Sequence, residues 1–284
     1  MSNQTNEAGT LYLVPTPIGN LEDITFRALN VMKTVAVIAS EDTRNTQKLL
    51  NHFEITTKQV SFHEHNTQER IPQFIKWLKD GTSIAQVSDA GMPSISDPGK
   101  ELVQACIAAG ITVVPLPGAN AALTGLIASG LAPQPFFFWG FLPRKPKEQK
   151  TTLTQLKSYS ATLIFYESPY RIVKTLENLI AVLGGDRQVV LARELTKRYE
   201  EFIRGSLTTV LAEMTSRTIK GEFVILVAGA SEVEAPTLVL TDEQVRQAVA
   251  ELIQAGAKPN AAIKTVAQQT NQKKQEVYRI YHEL

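Results

Sequence analysis

Short apolar runs alternate with amphipathic runs along the first 120 residues, and this alternation restricts the fold more than any other feature of the chain. The apolar runs have the length of buried strands, and the runs between them have helical spacing. Such an alternation predicts an α/β fold with a parallel sheet, whose loops gather at one edge. The predicted strands are Thr10–Pro15, Val35–Ala39, Gln59–Phe62, Thr82–Val87 and Ile111–Val114.

The loop after the fourth predicted strand, residues 87–99, is the first candidate for a ligand site. It reads VSDAGMPSISDPG, with two glycines, two prolines and several polar side chains. Open α/β sheets bind ligands at the carboxyl ends of their strands. Glycine permits unusual backbone angles and proline keeps a loop stiff. A plain strand-to-helix turn is the alternative, but similar loops recur along the chain, which favours a site.

The composition changes after residue 120, where we place a domain boundary. The predicted domains are 1–119, 120–232 and a C-terminal module over 238–284. The apolar run Asn120–Ala132 is too short to cross a membrane and is predicted to be a buried core helix. The aromatic run Phe136–Trp139 is predicted to be a buried strand rather than a platform for stacking bases.

Three further strands and a helical tail complete the prediction. The strands are Ala161–Tyr166, Gln188–Ala192 and the apolar run that follows Gly221. An acidic linker, Ser231–Pro236, leads to the tail. There, Thr241 and Gln244 form a capping-box pattern, and two more short helices follow. This arrangement suggests a helix-turn-helix-like docking module, or an RNA contact.

Composition limits the possible partners. The chain has 284 residues, of which 43% are hydrophobic, and a net charge of +1, so no general affinity for nucleic acids is expected. Residues 141–160 nevertheless carry five basic residues against Glu148, either as a cationic patch or as a solvated helix face. The single Cys106 favours a reducing cytosol. No cysteine or histidine spacing indicates a metal site, and no signal peptide or membrane segment is expected.

Seven short motifs occur in order along the chain. They are Val14–Asp23, Glu41–Arg44, Val87–Gly91 with Asp97–Gly99, Pro115–Gly118, Gly140–Pro143, Phe165–Ser168 and Ala192–Lys197. Together they resemble the tetrapyrrole-methylase family, also called class III methyltransferases, and within it the bacterial branch that acts on ribosomal RNA. The resemblance extends over nearly the whole chain.

The resemblance implies a fold, a reaction and a cofactor. The fold has a mainly parallel N-terminal sheet, a mixed second sheet and S-adenosylmethionine in the cleft between them, usually in a homodimer. The reaction methylates the ribose 2′-hydroxyl of a cytidine near the decoding centre of small-subunit ribosomal RNA, in the cytoplasm, with the assembled 30S particle as the expected substrate. The implied cofactor residues are Pro17, Ile18, Gly19, Asp89, Met92, Pro93, Ser94, Ile95, Gly118, Ala119, Asn120, Ala121, Tyr166, Glu167, Ser168, Gly221, Glu222 and Phe223.

The chemistry suggests further candidates. Methyl transfer is an in-line displacement, so placement of the reactants supplies most of the catalysis. A carboxylate or a neutral amine can accept the hydroxyl proton, and Glu167, Glu194 and Lys197 follow strand ends where this is possible. Phosphate contacts position RNA, and the candidates for them are Arg44, Arg144, Lys145 and Arg171.

Two other functions remain open at this point. A methylase of a small tetrapyrrole would share the fold, but it would need neither the basic segment nor the helical tail. A non-catalytic ribosome-binding factor would have no need for all the polar loop residues. The basic segment and the helical tail argue against the first alternative, and the polar loop residues argue against the second. All three therefore favour the RNA methyltransferase.

Overall fold

The computed structural model describes residues 8–230, 240–270 and 272–282. Contacts within the chain divide it after Gly229, so both sheets belong to one compact unit and the C-terminal helices to a second. The predicted boundary near residue 120 falls between the two sheets of the first unit. The predicted linker, Ser231–Pro236, lies outside the described residues.

The first sheet is entirely parallel, as predicted, with the strand order β3-β2-β4-β1-β5. Its strands alternate with four helices. All five predicted strands are confirmed, and their ends lie within two residues of the predicted ends. The strands are β1 Leu11–Leu13, β2 Val37–Ser40, β3 Lys58–Ser61, β4 Ile84–Val87 and β5 Val113–Pro115. The helices are α1 Phe26–Thr34, α2 Thr43–His52, α3 Thr67–Lys79 and α4 Lys100–Ala108.

Successive residues of these strands supply two separate apolar cores, because side chains alternate between the faces of a sheet. Ile38 and Ala85 pack with Met32 of α1 on one face. Ala39 and Ile84 pack on the other face, in a cluster that also holds residues of α3 and α4. The sheet is therefore covered on both sides, and its ligand-accessible part is the edge where the loops emerge.

The second sheet is mixed, as the resemblance implied. Its order is β6-β7-β10-β8-β9, with β6 parallel to β7 and the other neighbours antiparallel. The strands are β6 Phe136–Phe141, β7 Thr162–Glu167, β8 Gln188–Arg193, β9 Glu201–Ser206 and β10 Phe223–Val227. The helices of this half are α5 Ala121–Ser129, α6 Pro146–Leu156, α7 Ile172–Leu183 and α8 Leu207–Thr215.

Two expectations of burial are wrong. The aromatic run forms an edge strand, so Phe136 and Trp139 are 42% and 39% exposed. Helix α5 packs on the second sheet with one face only. Leu123 and Ile127 on its opposite face are 47% and 81% exposed, so α5 is not a fully buried helix.

The second compact unit contains the three predicted tail helices, α9 Asp242–Gln254, α10 Pro259–Gln269 and α11 Lys274–His282. Thr241 and Gln244 form the predicted capping box at the start of α9. A small core that includes Val245, Ile263 and Val277 holds the helices together. Among the described residues, no helix is both long enough and apolar enough to cross a membrane.

Candidate active site

A cleft of about 420 Å³ opens between the loops of the two sheets. The loops that follow parallel strands meet at one sheet edge, and the second sheet supplies the facing wall from the ends of β7 and β8 and the start of β10. The residues that line the cleft are Ile18, Glu41, Asp89, Ala90, Gly91, Met92, Ile95, Ser96, Asp97, Asn120, Ala121, Phe141, Tyr166, Glu167, Ser168, Ala192, Glu194, Leu195, Lys197, Glu222, Phe223 and Val224.

The loop between β4 and α4 is held in an unusual conformation. Ser94 and Ser96 have φ values of 68° and 65°, in the left-handed region that favours glycine. Such backbone geometry costs about 1–3 kcal/mol per residue and is concentrated at functional sites. Gly91, with φ 79°, pairs with Thr16 through two backbone hydrogen bonds of 3.0 Å, which joins this loop to the one after β1.

The two walls of the cleft also touch each other. A Cβ atom on Gly19 would overlap the side chain of Lys197, so the loop after β1 lies directly beneath the turn after β8. A Cβ on Gly140 of β6 would lie 3.3 Å from the hydroxyl of Ser96. Glycine at position 19 therefore allows the first-sheet loop to pack under the second-sheet turn.

Carboxylates dominate the first-sheet wall. The Asp89 carboxylate accepts hydrogen bonds from the backbone N–H of Asp42 (3.1 Å) and from Asn45 (2.9 Å). Burial raises the pKa of Glu41; the Asp89 backbone N–H opposes this shift, while the negative charge of Asp89 adds to it. Burial, together with the charges of Glu41 and Asp89, raises the pKa of Asp97 to about 7, although a hydrogen bond with the Ser88 hydroxyl lowers it in part.

Glu167 lies at the end of β7, and its carboxylate is buried on the α7 side of the strand. One oxygen accepts from the backbone N–H of Ser168 (2.9 Å) and lies 3.4 Å from Nε of Arg171. The other accepts from the hydroxyl of Thr175 (2.7 Å). Thr175 in turn accepts from Gln149 of α6. The geometry thus gives Glu167 a bracing role for β7, α6 and α7, in contrast to the proton-accepting role predicted for it.

Lys197 forms ion pairs with Glu194 (3.0 Å) and Glu222 (2.8 Å). Burial alone would lower the pKa of Lys197, but these two carboxylates outweigh burial and raise it. Burial alone would raise the pKa of Glu194, but the N–H of Glu222 and the Lys197 ammonium hold it below its usual value. Lys197 is therefore a cation here, and the neutral amine considered from the sequence is disfavoured.

The four residues predicted to contact RNA lie outside the lining of the cleft. Arg44 is exposed and pairs with Asp42, whose pKa it lowers to about 2. Lys145 is exposed beside Glu148, and Arg144 is exposed. Arg171 differs because its guanidinium donates to the carbonyls of Leu142 (3.0 Å) and Pro143 (3.1 Å). Arg171 thus ties the segment that carries Arg144 and Lys145 to the Glu167 network.

The structure brings together most of the predicted cofactor residues. Asp89, Asn120 and Glu167, which lie far apart in the sequence, all line the cleft. Others in the lining are Ile18, Met92, Ile95, Ala121, Tyr166, Ser168, Glu222 and Phe223. Pro17 and Gly19 line a smaller adjoining cavity that also includes Asp89. Outside both linings are Pro93, Ser94, Gly118, Ala119 and Gly221.

The sequence prediction missed several lining residues, of which Glu41, Asp97 and Phe141 carry the most distinctive side chains. All three belong to motifs that had been noted, Glu41–Arg44, Asp97–Gly99 and Gly140–Pro143. Their membership of these motifs was the signal that could have identified them. In the described part of the chain, no group of three or more His, Cys, Asp or Glu side chains is placed to hold a metal ion.

The two-sheet architecture has counterparts among solved structures. The methyltransferase CobJ has a TM-score of 0.60 at 19% identity, with 78% of this chain and 95% of that chain covered. The uroporphyrin-III C-methyl transferase from Thermus thermophilus complexed with S-adenyl homocysteine has a TM-score of 0.54 at 19% identity, with 77% and 97% covered. The fold therefore defines the class, an α/β protein with the tetrapyrrole-methyltransferase architecture.

The family follows from the sequence matches. The model for Tetrapyrrole (Corrin/Porphyrin) Methylases matches residues 10–211, and the chain belongs to this family. The Ribosomal RNA small subunit methyltransferase I of Streptococcus pyogenes serotype M3 is 56% identical, with 98% of this chain and 96% of the relative covered. The protein of the same name from Bacillus subtilis is 50% identical, with 99% and 96% covered.

Proposed function

We propose that this chain is an S-adenosylmethionine-dependent methyltransferase that modifies the ribose 2′-hydroxyl of a cytidine in small-subunit ribosomal RNA, near the decoding centre. The observation that supports it most strongly is the 56% identity, over nearly the full length, to a protein named for that RNA. The cleft adds that Asp89, Asn120 and Glu167, from three separate motifs, line one cavity.

The cleft fits a cationic methyl donor of this kind. Apolar side chains, including Ile18, Leu195 and Val224, offer a surface for an adenine ring. The carboxylates of Glu41 and Asp89 suit a ligand that carries a sulfonium and an ammonium group. When bound, the donor supplies a methyl group on positively charged sulfur. The cleft residues hold it and exclude water, while the RNA brings the hydroxyl in line with the methyl carbon.

The remaining site assignments extend this proposal. All the residues predicted from the motifs to bind the cofactor do so, including those beside the cleft. We assign Glu194 and Lys197 to the cleft wall as a charged pair. Arg144 and Lys145 contact RNA phosphates, because both are exposed on a segment with excess positive charge. The substrate is the assembled 30S particle, and the enzyme works in the cytoplasm.

The enzyme acts as a homodimer. Leu123 and Ile127 lie one helical turn apart on the outer face of α5, so their exposed side chains form one apolar strip. Burial of such a strip against a second copy would remove it from water. Light scattering is expected to give twice the mass of one chain for the wild type. Replacement Ile127→Glu should shift that value to one chain.

A direct assay distinguishes the candidate functions. The protein is incubated with methyl-labelled S-adenosylmethionine and, in separate reactions, with isolated 30S subunits, naked small-subunit RNA or a porphyrinogen. Label is expected on the 30S particle, and digestion should release it as 2′-O-methylcytidine. Label on the porphyrinogen alone would support the tetrapyrrole methylase instead. Binding to 30S without any transfer would support a non-catalytic factor.

A further inference from the structure

Four of the carboxylates in the cleft are already held by firm partners. Glu167 is buried with both oxygens bound, and Glu194 and Glu222 share Lys197. Asp89 accepts from Asp42 and Asn45. Glu41 is held less firmly, by one long hydrogen bond from the backbone N–H of Asp89 at 3.4 Å. A carboxylate that must accept a proton during the reaction cannot be committed in this way to a cation or to several donors.

Among the cleft carboxylates in the described part of the chain, Asp97 has neither a cation nor a backbone N–H that donates to it, and Glu41 keeps one such N–H. Asp97 is therefore the least committed of them. It lines the cleft, is half-buried, and has the hydroxyl of Ser88 as its side-chain hydrogen-bond partner, with no cation in an ion pair. The groups that face it are Glu41 and Asp89 on its own wall and Tyr166 across the cleft. The charged cluster of Lys197, Glu194 and Glu222 also lines the cleft.

The backbone aims this side chain. Asp97 directly follows Ser96, which is held at φ 65°, and precedes Pro98, whose carbonyl accepts a 2.8 Å hydrogen bond from Gln86. The strained residues and the anchored proline fix the loop on both sides of Asp97. Strain of this kind persists only where the surroundings enforce it, and it is typical of positions that orient a functional group.

We propose that Asp97 is the base that accepts the proton of the attacking hydroxyl, a role that rests on the proposed function. The hydroxyl oxygen forms a bond to the methyl carbon while the carbon–sulfur bond breaks and its electron pair stays on sulfur. The hydroxyl proton passes to the Asp97 carboxylate. The products are a methyl ether, a neutral thioether and a neutral carboxylic acid, which later releases its proton to water.

The electrostatics of the cleft suit this role. Burial and the charges of Glu41 and Asp89 raise the pKa of Asp97 to about 7. A base is most effective when its pKa lies near the working pH, because it is then available in the ionised form and still binds a proton well. Lys197, which is protonated, and Glu194, whose pKa is lowered, are less suited to the task.

The test is a pH profile of single-turnover methyl transfer to isolated 30S subunits at saturating S-adenosylmethionine, with the full-length chain. The wild-type rate should rise with pH through the ionisation of Asp97 and then level off. Asp97→Asn should lower the plateau rate by about 10²–10⁴-fold and abolish this rise. Its uptake of S-adenosylmethionine, measured by calorimetry, should remain within about threefold, because a rate effect is expected rather than a binding effect. The matched control is Asp186→Asn at an exposed turn, which should behave as wild type.

A second variant keeps the test decisive if Asp97→Asn does not fold. Ser88→Ala removes the hydroxyl that lowers the pKa of Asp97 and that also donates to the carbonyl of Gly91 (3.3 Å), so the rising limb should move to higher pH with the plateau preserved. An unmoved limb, or an Asp97→Asn rate within about threefold of wild type, overturns the role of Asp97 alone. Absence of transfer by the wild type would instead refute the proposed function, and the role of Asp97 with it.

Discussion

Replacement of Glu167 should lower the free energy of unfolding, because its carboxylate braces the second sheet. Glu167→Ala removes the acceptor of Ser168 and Thr175 and the anionic partner of Arg171. Loss of one partner of a buried ion pair costs about 3–5 kcal/mol. Arg171 is 27% exposed and keeps two carbonyl acceptors, so we expect the lower end, about 3 kcal/mol. For a domain of this size that lowers Tm by about 6–12 °C.

Glu167→Gln preserves the shape and one acceptor oxygen, so the expected loss is about 1–2 kcal/mol. Thermal and urea unfolding measure both variants. The control is Glu177→Ala on α7, the helix that carries Thr175, where an exposed pair with Lys174 should contribute at most about 0.5 kcal/mol. If Glu167→Ala melted like this control, the bracing role would be refuted. If Glu167→Gln folded like wild type but lost about 10³-fold in turnover, the proton-accepting role would return to Glu167.

Two further stability predictions follow from the site. Folding raises the pKa of Asp97 from 3.8 to about 7, so the native state binds the extra proton and stability falls as pH rises from about 4 to about 7. Discounted for solvent screening, this loss is about 1–2 kcal/mol, and urea midpoints across that pH range should show it in the wild type but not in Asp97→Asn. Gly221→Ala should cost at least about 1 kcal/mol more than Gly110→Ala in urea unfolding. Both glycines have positive φ, but only at Gly221 would the new Cβ collide, with Glu194, and equal losses would contradict that packing.

Much of the fold could be predicted because its signals are local. A buried strand requires a short apolar run, and a helix start requires a cap, so Val113 in β5 and the Thr241 capping box were identifiable from neighbouring residues. The order of motifs also placed Asp89 and Asn120 at strand or helix ends that a parallel sheet brings to one edge.

The direction of each side chain was decided by tertiary structure. In β7, Tyr166 packs with the cluster on one face of the sheet, while the adjacent Glu167 bonds to Thr175 on α7, because neighbouring residues of a strand face opposite ways. The outer face of α5 is exposed because the helix packs on the second sheet with its other face only.

The sequence by itself determined where the strands, helices and cleft loops occur, since those depend on short-range patterns. Only the tertiary structure decided which acid is free. The pKa of Asp97 depends first on its burial and then on Glu41, which is 56 residues earlier in the chain. Electrostatic interactions act through space, so a sequence shows which charged residues exist but not which of them meet.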